Sequence, residues 1–208
     1  MSRLELHAEG EARFFDALRR GSEFFMGKGN VRAAMEKVTR LLEELEIPYA
    51  VVGAMALNEA GYERFTQDVD LLLTREGLER FRQRWLGRGY TEKFEGSRGM
   101  RDTENGVSID VVIAGEFPGD GKPKPVAFPD PAVEARRGER VRVLPLERLI
   151  ELKLASGISA PHRLRDLADV LEVIRARALP ADFESRLDES VRAKFRELWL
   201  AAQTGDQE

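Results

Sequence analysis

Apolar positions change period several times along the chain, and each change predicts a new element. Phe14, Phe15 and Leu18 predict a short helix over 11–20, which Gly27-Lys28-Gly29-Asn30 breaks. Asn30 can cap a second helix, in which Ala33, Ala34, Val38, Leu41, Leu42 and Leu45 recur at helical spacing. Pro48 ends the connection, and Tyr49-Ala50-Val51-Val52 reads as a buried strand closed by Gly53. Ala54 to Ala60 reads as a helix ending at Gly61, Asp68 to Leu73 as a strand, Glu76 to Leu86 as an arginine-rich helix and Tyr90 to Phe94 as a strand.

Asn105-Gly106 is a two-residue hairpin signal, joining Arg98–Thr103 to Val107–Ala114. In the second arm Val107, Ile109, Val111 and Ile113 share one face, and Ser108, Asp110 and Val112 the other. Gly115 to Pro131 is rich in Gly and Pro and predicts a long loop, either a flap or a boundary. Arg140 to Leu144 predicts a short strand. Only helices follow, over about 145–156, 161–178 and 187–202. This order predicts an α+β (mixed α/β) fold, a mixed sheet flanked by helices with a C-terminal helical portion. The expected organisation is a helical extension over 1–30, a core over 31–144 and a helical portion over 145–208 packed on that core.

Composition narrows the chemistry. No run of 18 apolar residues occurs in the 208-residue chain, so no membrane span is expected. The first residues carry acids and lack an apolar stretch, unlike a signal peptide. The absence of cysteine excludes disulfides, thiolate metal sites and a cysteine nucleophile, and makes a reducing cytoplasm the simplest home. With only His7 and His162, a histidine-rich zinc site is not expected. A net charge of −4 argues against a surface basic throughout. Two local clusters, Arg80, Arg82, Arg84 and Arg88, then Arg136, Arg137, Arg140 and Arg142, are either solvated faces or a contact for an acidic or nucleic-acid partner.

The carboxylates carry the functional signal. Asp68 and Asp70 are one residue apart on a predicted strand, so they point to the same side with Cα atoms about 6.6 Å apart. Leu71, Leu72 and Leu73 follow directly, and charges at the head of a buried strand need a partner or a metal. Asp110 has the same character among Val107, Ile109, Val111, Val112 and Ile113, unless it faces solvent. Gathered together, three aspartates suit an all-oxygen divalent site such as Mg²⁺, and two such ions about 4 Å apart suit phosphoryl or nucleotidyl transfer. Gly53-Ala54 lies at a strand-to-helix turn, where small residues either let a phosphate approach or simply pack.

The run Val51-Val52-Gly53-Ala54, thirteen intervening residues, Asp68-Val69-Asp70-Leu71 and later Ile109-Asp110-Val111 resembles the nucleotidyltransferase superfamily, with its DNA polymerase beta-like fold. Ala54 departs from that pattern, which has Gly or Ser there. Arg64-Phe65-Thr66-Gln67-Asp68, and Leu152-Lys153-Leu154 followed by Arg163-Leu164-Arg165-Asp166-Leu167-Ala168-Asp169, resemble the subgroup containing AbiEii-type toxins. The resemblance spans roughly residues 35–180.

It implies a nucleotidyltransferase that moves a nucleoside monophosphate from an NTP such as ATP to an acceptor, with two Mg²⁺ ions, or Mn²⁺, held by Asp68, Asp70 and Asp110. Those three are also the implied catalytic residues, with Asp110 accepting the acceptor's proton. Gly53, Ala54, Arg64, Thr66, Lys153 and Asp166 are the implied nucleotide-binding residues. RNA ends, small molecules and protein hydroxyls remain open as acceptors, in a toxin–antitoxin-type setting. The residues themselves leave alternatives. Lys153 falls on the apolar stripe of its helix, so either it snorkels or its ammonium is aimed at a phosphate or the acids. Arg163 with Asp166 and Arg165 with Asp169 can also be surface ion pairs. Arg64 either grips a triphosphate or braces the Asp68 loop, and Thr66 caps that loop. A fold that kept its shape but serves as a catalytically inactive binding or regulatory partner is the competing reading.

Overall fold

The computed structural model describes residues 28–62 and 65–204. A seven-stranded mixed sheet lies at its centre, in the order β3-β4-β5-β2-β1-β7-β6. The strands are β1 Tyr49–Val52, β2 Asp68–Leu73, β3 Tyr90–Glu92, β4 Met100–Asp102, β5 Val107–Ile113, β6 Arg136–Arg137 and β7 Arg142–Val143. β2 runs antiparallel to β1 and parallel to β5, and β7 runs parallel to β1; the remaining pairs are antiparallel. The expected mixed sheet with a helical C-terminal portion is what the chain forms.

The alternation of β5 assigns its two faces. Val107, Ile109, Val111 and Ile113 pack with Val69, Leu71 and Leu73 against helices α1 (Lys28–Glu44) and α3 (Arg75–Trp85). The opposite face carries Leu72 and Val112. It is covered by α2 (Gly53–Glu59), α5 (Leu146–Ser159), α6 (Leu164–Ala176) and α7 (Glu189–Thr204), whose buried residues include Leu57, Ile150, Val170 and Phe195. Asp68, Asp70 and Asp110 have the parity of Leu72 and Val112, so they stand on the face that meets the C-terminal helices.

Several boundaries differ from expectation. The helix after the glycine-rich break already begins at Lys28 rather than after an Asn30 cap. Asp102 pairs with Val107, so the hairpin loop is Thr103–Gly106 rather than Asn105-Gly106 alone. The reason is Asp102. Its buried carboxylate accepts from the Glu104 N–H at 3.1 Å, from Asn105 Nδ2 at 2.6 Å and from Lys37 Nζ at 2.7 Å. Asn105 therefore serves as a donor within the loop instead of leading a tight turn. Gly115 to Asp130 is the expected long connection, tied to the fold at several points. Gly115 donates to the Phe128 carbonyl, Phe128 to the Glu116 carbonyl, and Gly119 approaches Ser156 and Ser159 too closely for any side chain. A short helix α4 (Pro131–Glu134), capped by Asp130, and edge strand β6 follow it, where no element was expected. The expected helices over 11–20 and in the remainder of 1–27 fall outside the described residues.

Several of the clustered arginines are held by their own chain. Arg80 donates to the Leu45 carbonyl, Arg82 to the Ser97 carbonyl and to Glu92, and Arg84 lies over the Trp85 ring. Arg136, Arg137 and Arg142 line the β6–β7 edge, where charge discourages pairing with another chain.

Candidate active site

The site starts where β1 ends. Val52 pairs with Asp70, and the backbone turns at Gly53 (φ 65°) into α2. The turn needs glycine for two reasons. The φ is left-handed, and a Cβ there would fall 2.0 Å from Asp70 Oδ2. Gly53 thus seats the Asp70 carboxylate. Across the parallel ladder Asp70 pairs with Asp110 and Asp68 with Ser108. Neighbouring strands are about 4.8 Å apart, which puts Asp110 directly beside Asp70.

The three acids have different partners. Thr66 Oγ1 donates to the Asp68 carboxylate and to its carbonyl oxygen, closing the approach to β2. The Asp110 carboxylate is 2.8 Å from Lys93 Nζ and remains partly exposed. Lys93 reaches it across β4. Its N–H donates to the Gly99 carbonyl, and a Cβ on Gly99 would lie 2.8 Å from Lys93 Cδ and 3.0 Å from Asp110 Oδ1. Among the described residues no three His, Cys, Asp or Glu side chains come together closely enough to hold a metal ion. The backbone sets the three acids on two neighbouring strands, and Lys93 is the ion-pair partner of Asp110.

Above Asp68 and Asp70 opens a cleft of about 1020 Å³. Gly53, Ala54, Asp68 and Asp70 form its floor, and Pro118, Phe128, Lys153, Ser156 and Asp166 line its sides. Exposed Phe65 stands at its edge, with His162, Arg163 and Arg165 forming a basic rim.

Lys153 is nearly buried. Its ammonium is 3.0 Å from Asp166 Oδ1 and 2.7 Å from Asp169 Oδ2, with Asp169 buried. It is aimed at neither the solvent nor the acid trio. Asp166 also accepts from Ser156 Oγ at 2.7 Å and Arg163 Nε at 3.1 Å. Burial pushes the Asp166 carboxyl up, but Lys153, Ser156 and Arg163 outweigh it, so the group titrates below its ordinary value of 3.8. This cluster joins α5 to α6, which approach closely at Gly157 against Leu167.

Of the residues singled out in the sequence, Gly53, Ala54, Thr66, Asp68, Asp70, Lys153 and Asp166 share the cleft, and Asp110 stands one strand beyond Asp70. Arg64 lies outside the described residues. Lys93, Gly99 and the rim position of His162 were not singled out, and Arg165 was read only within the Arg163–Asp169 run and as an ion-pair candidate. His162 and Arg163 lie in a 3₁₀ turn, Pro161–Arg163, that opens on a proline directly before α6, a basic stretch before a helix that could have signalled it.

No family model matches the chain, and no curated protein matches it. Solved structures do. The complex of ANT(2")-Ia with adenylyl-2"-tobramycin aligns with 79% of this chain and 96% of its own at 16% identity and a TM-score of 0.51. JHP933 from Helicobacter pylori aligns with 86% of this chain and 90% of its own, at 18% identity and a TM-score of 0.46. The first likeness defines the fold as nucleotidyltransferase-like. No helix among the described residues is long and apolar enough to cross a membrane.

Proposed function

We propose that this chain is a nucleotidyltransferase that moves a nucleoside monophosphate from an NTP to an acceptor nucleophile and releases pyrophosphate. The observation that carries this is the pair Asp68 and Asp70 at the floor of a cleft large enough for a nucleotide, with Asp110 beside Asp70 on the next strand. The donor set is chemically suited to magnesium: carboxylate oxygens only, on adjacent strands, with Gly53 leaving Asp70 its space. Asp68, Asp70 and Asp110 would hold two Mg²⁺ ions, with Mn²⁺ an alternative. Bound there, the ions neutralise phosphate charge and make the acceptor hydroxyl more acidic.

The remaining roles belong to the protein. Gly53 and Ala54 let phosphate approach the floor, and Thr66 fixes the Asp68 carboxylate. The rim residues His162, Arg163 and Arg165 face the polyphosphate. Asp110 takes the proton lost by the acceptor as its oxygen attacks the α-phosphorus and the bond to the β-phosphate oxygen breaks. Lys153 neutralises phosphate only by loosening its hold on Asp166, so its first role is to fix the cleft wall. The Arg64-to-Asp68 run and the helix carrying Asp166 favour a relative of AbiEii-type toxins, within a toxin–antitoxin-type system. The acceptor is then an RNA end, a small molecule or a protein hydroxyl.

A second reading, a binding partner without turnover, is favoured by Ala54 and by the Lys93 bond to Asp110. One experiment separates the two. Each α-labelled NTP is incubated with Mg²⁺, the full chain and, in turn, total RNA, an aminoglycoside panel or no added acceptor. Label transfer with pyrophosphate release, lost in Asp68→Asn and Asp70→Asn, is the expected result. Nucleotide binding without turnover favours the partner reading, and neither binding nor turnover overturns both.

A further inference from the structure

We propose, resting on the nucleotidyltransferase reading above, that Phe65 is the platform on which a planar nucleobase stacks in the cleft. A single exposed apolar side chain is an ordinary surface feature. The place of this one is not ordinary. Six large apolar side chains are exposed among the described residues, at Phe65, Phe94, Val133, Ile158, Leu164 and Leu200, and of these Phe65 alone lines the cleft. It is 64% exposed, so apolar surface that water now covers is open to a ligand entering there. The chain sets where the ring stands. Phe65, Thr66, Gln67 and Asp68 all line the cleft, so the approach to β2 runs along it. Thr66 Oγ1 donates to the Asp68 carboxylate and carbonyl, which fastens this approach to the head of β2. Three residues of extended chain span at most about 11 Å, so the Phe65 backbone lies within that distance of Asp68.

The chemistry around the ring selects the ligand. Asp68 and Asp70 lie at the floor of the same cleft, and His162, Arg163 and Arg165 at its rim. Cationic side chains serve phosphate and a flat apolar ring serves a base, so the two together match the two halves of a nucleotide. Phe128, the other phenylalanine of the cleft, packs against the core and shapes the side of the cleft instead. Stacking needs only a π-face, so the platform accepts purines and pyrimidines alike and leaves the choice of base to other groups. The base belongs either to the NTP or to the terminal nucleotide of an RNA acceptor, since both present the same planar ring beside phosphate.

The test is titration calorimetry of the full chain with Mg²⁺ present. The probes are the α,β-methylene analogues of ATP and CTP, a short single-stranded RNA, and inorganic tripolyphosphate, which has no base. Phe65→Ala is expected to weaken base-carrying probes about tenfold and to leave tripolyphosphate unchanged. Loss with the two analogues assigns the ring to the NTP, and loss with the RNA alone assigns it to the acceptor. Phe65→Leu, which stays apolar but has no ring, is expected to bind as Phe65→Ala does. Phe65→Trp is expected to bind as the wild type does, with its added indole emission quenched by the base. Equal affinity of the wild type and Phe65→Ala for every base-carrying probe, or wild-type affinity in Phe65→Leu, overturns the inference while the nucleotidyltransferase reading stands. An equal loss of tripolyphosphate in Phe65→Ala also overturns it, because the side chain then only shapes the approach to Asp68. A wild type that binds none of the probes overturns the nucleotidyltransferase reading, and this inference with it.

Discussion

The seat of Asp70 on Gly53 can be tested directly by Gly53→Ala. Two costs add. Alanine at φ 65° carries a left-handed backbone penalty of about 1–2 kcal/mol. The new Cβ would also fall 2.0 Å from Asp70 Oδ2 and 2.7 Å from its Cγ, so the carboxylate must leave its position. Driving that side chain off its rotamer costs about a further 0.5–1.5 kcal/mol. Gly96 supplies the control. Its φ is 75°, and a Cβ there meets nothing within 4 Å, so Gly96→Ala carries the backbone penalty alone. Thermal unfolding followed by circular dichroism separates the two. For a chain of 208 residues, 1 kcal/mol corresponds to about 2–4 °C, so Gly53→Ala should melt roughly 1–6 °C below Gly96→Ala. Its Mn²⁺ affinity should fall as well, whereas Gly96→Ala should keep it. Equal melting temperatures and equal Mn²⁺ affinities would refute the view that Gly53 exists to seat Asp70.

Lys153→Met leaves two aspartates on α6, one of them buried, without their shared ammonium. It should cost about 3–5 kcal/mol in urea unfolding, with Asp169→Asn added in the same chain restoring part of the loss. Asp166 titrates below 3.8 in the fold, so its contribution is intact above that pH and is lost as pH falls through the lowered value. Urea midpoints taken from about pH 7 down to about pH 3 should therefore fall less steeply in Asp166→Asn than in the wild type. Tyr49 is raised to about 12 by burial and by its bond to Glu43. A proton held more tightly in the fold stabilises it below the ordinary value of 10 and ceases to do so as pH rises toward 12, a limb of about 2–3 kcal/mol that Tyr49→Phe should abolish in alkaline unfolding curves.

What could be read from the sequence, and what could not, divides along a physical line. The period-two alternation of β5 placed Asp110 opposite an apolar face, because four aliphatic side chains on one side leave no other assignment. Asp68 and Asp70 stood out for the same reason, being charged at the head of an aliphatic strand. Contacts fixed by register across elements were invisible. Lys153 reads on its own helix as an anomaly. Its two partners become visible only once α6 crosses α5 at Gly157, whereas spacing along α6 itself suggested Arg165 as the partner of Asp169.

The sharpest case is Lys93. Had Asn105-Gly106 formed the whole turn, Glu104 would pair with Val107, and the ladder would set Arg101 opposite Asp110. The buried Asp102 draws Asn105 and the Glu104 N–H onto itself, lengthens the loop to Thr103–Gly106 and shifts the register so that Arg101 meets Ser108. Gly99 then falls beside Asp110, and only a glycine there lets Lys93 reach across. An aspartate buried beneath a hairpin thus determines which cation pairs with Asp110 beside the cleft. Because Lys37 from α1 holds that aspartate, the same choice depends on how the first helix packs against the sheet.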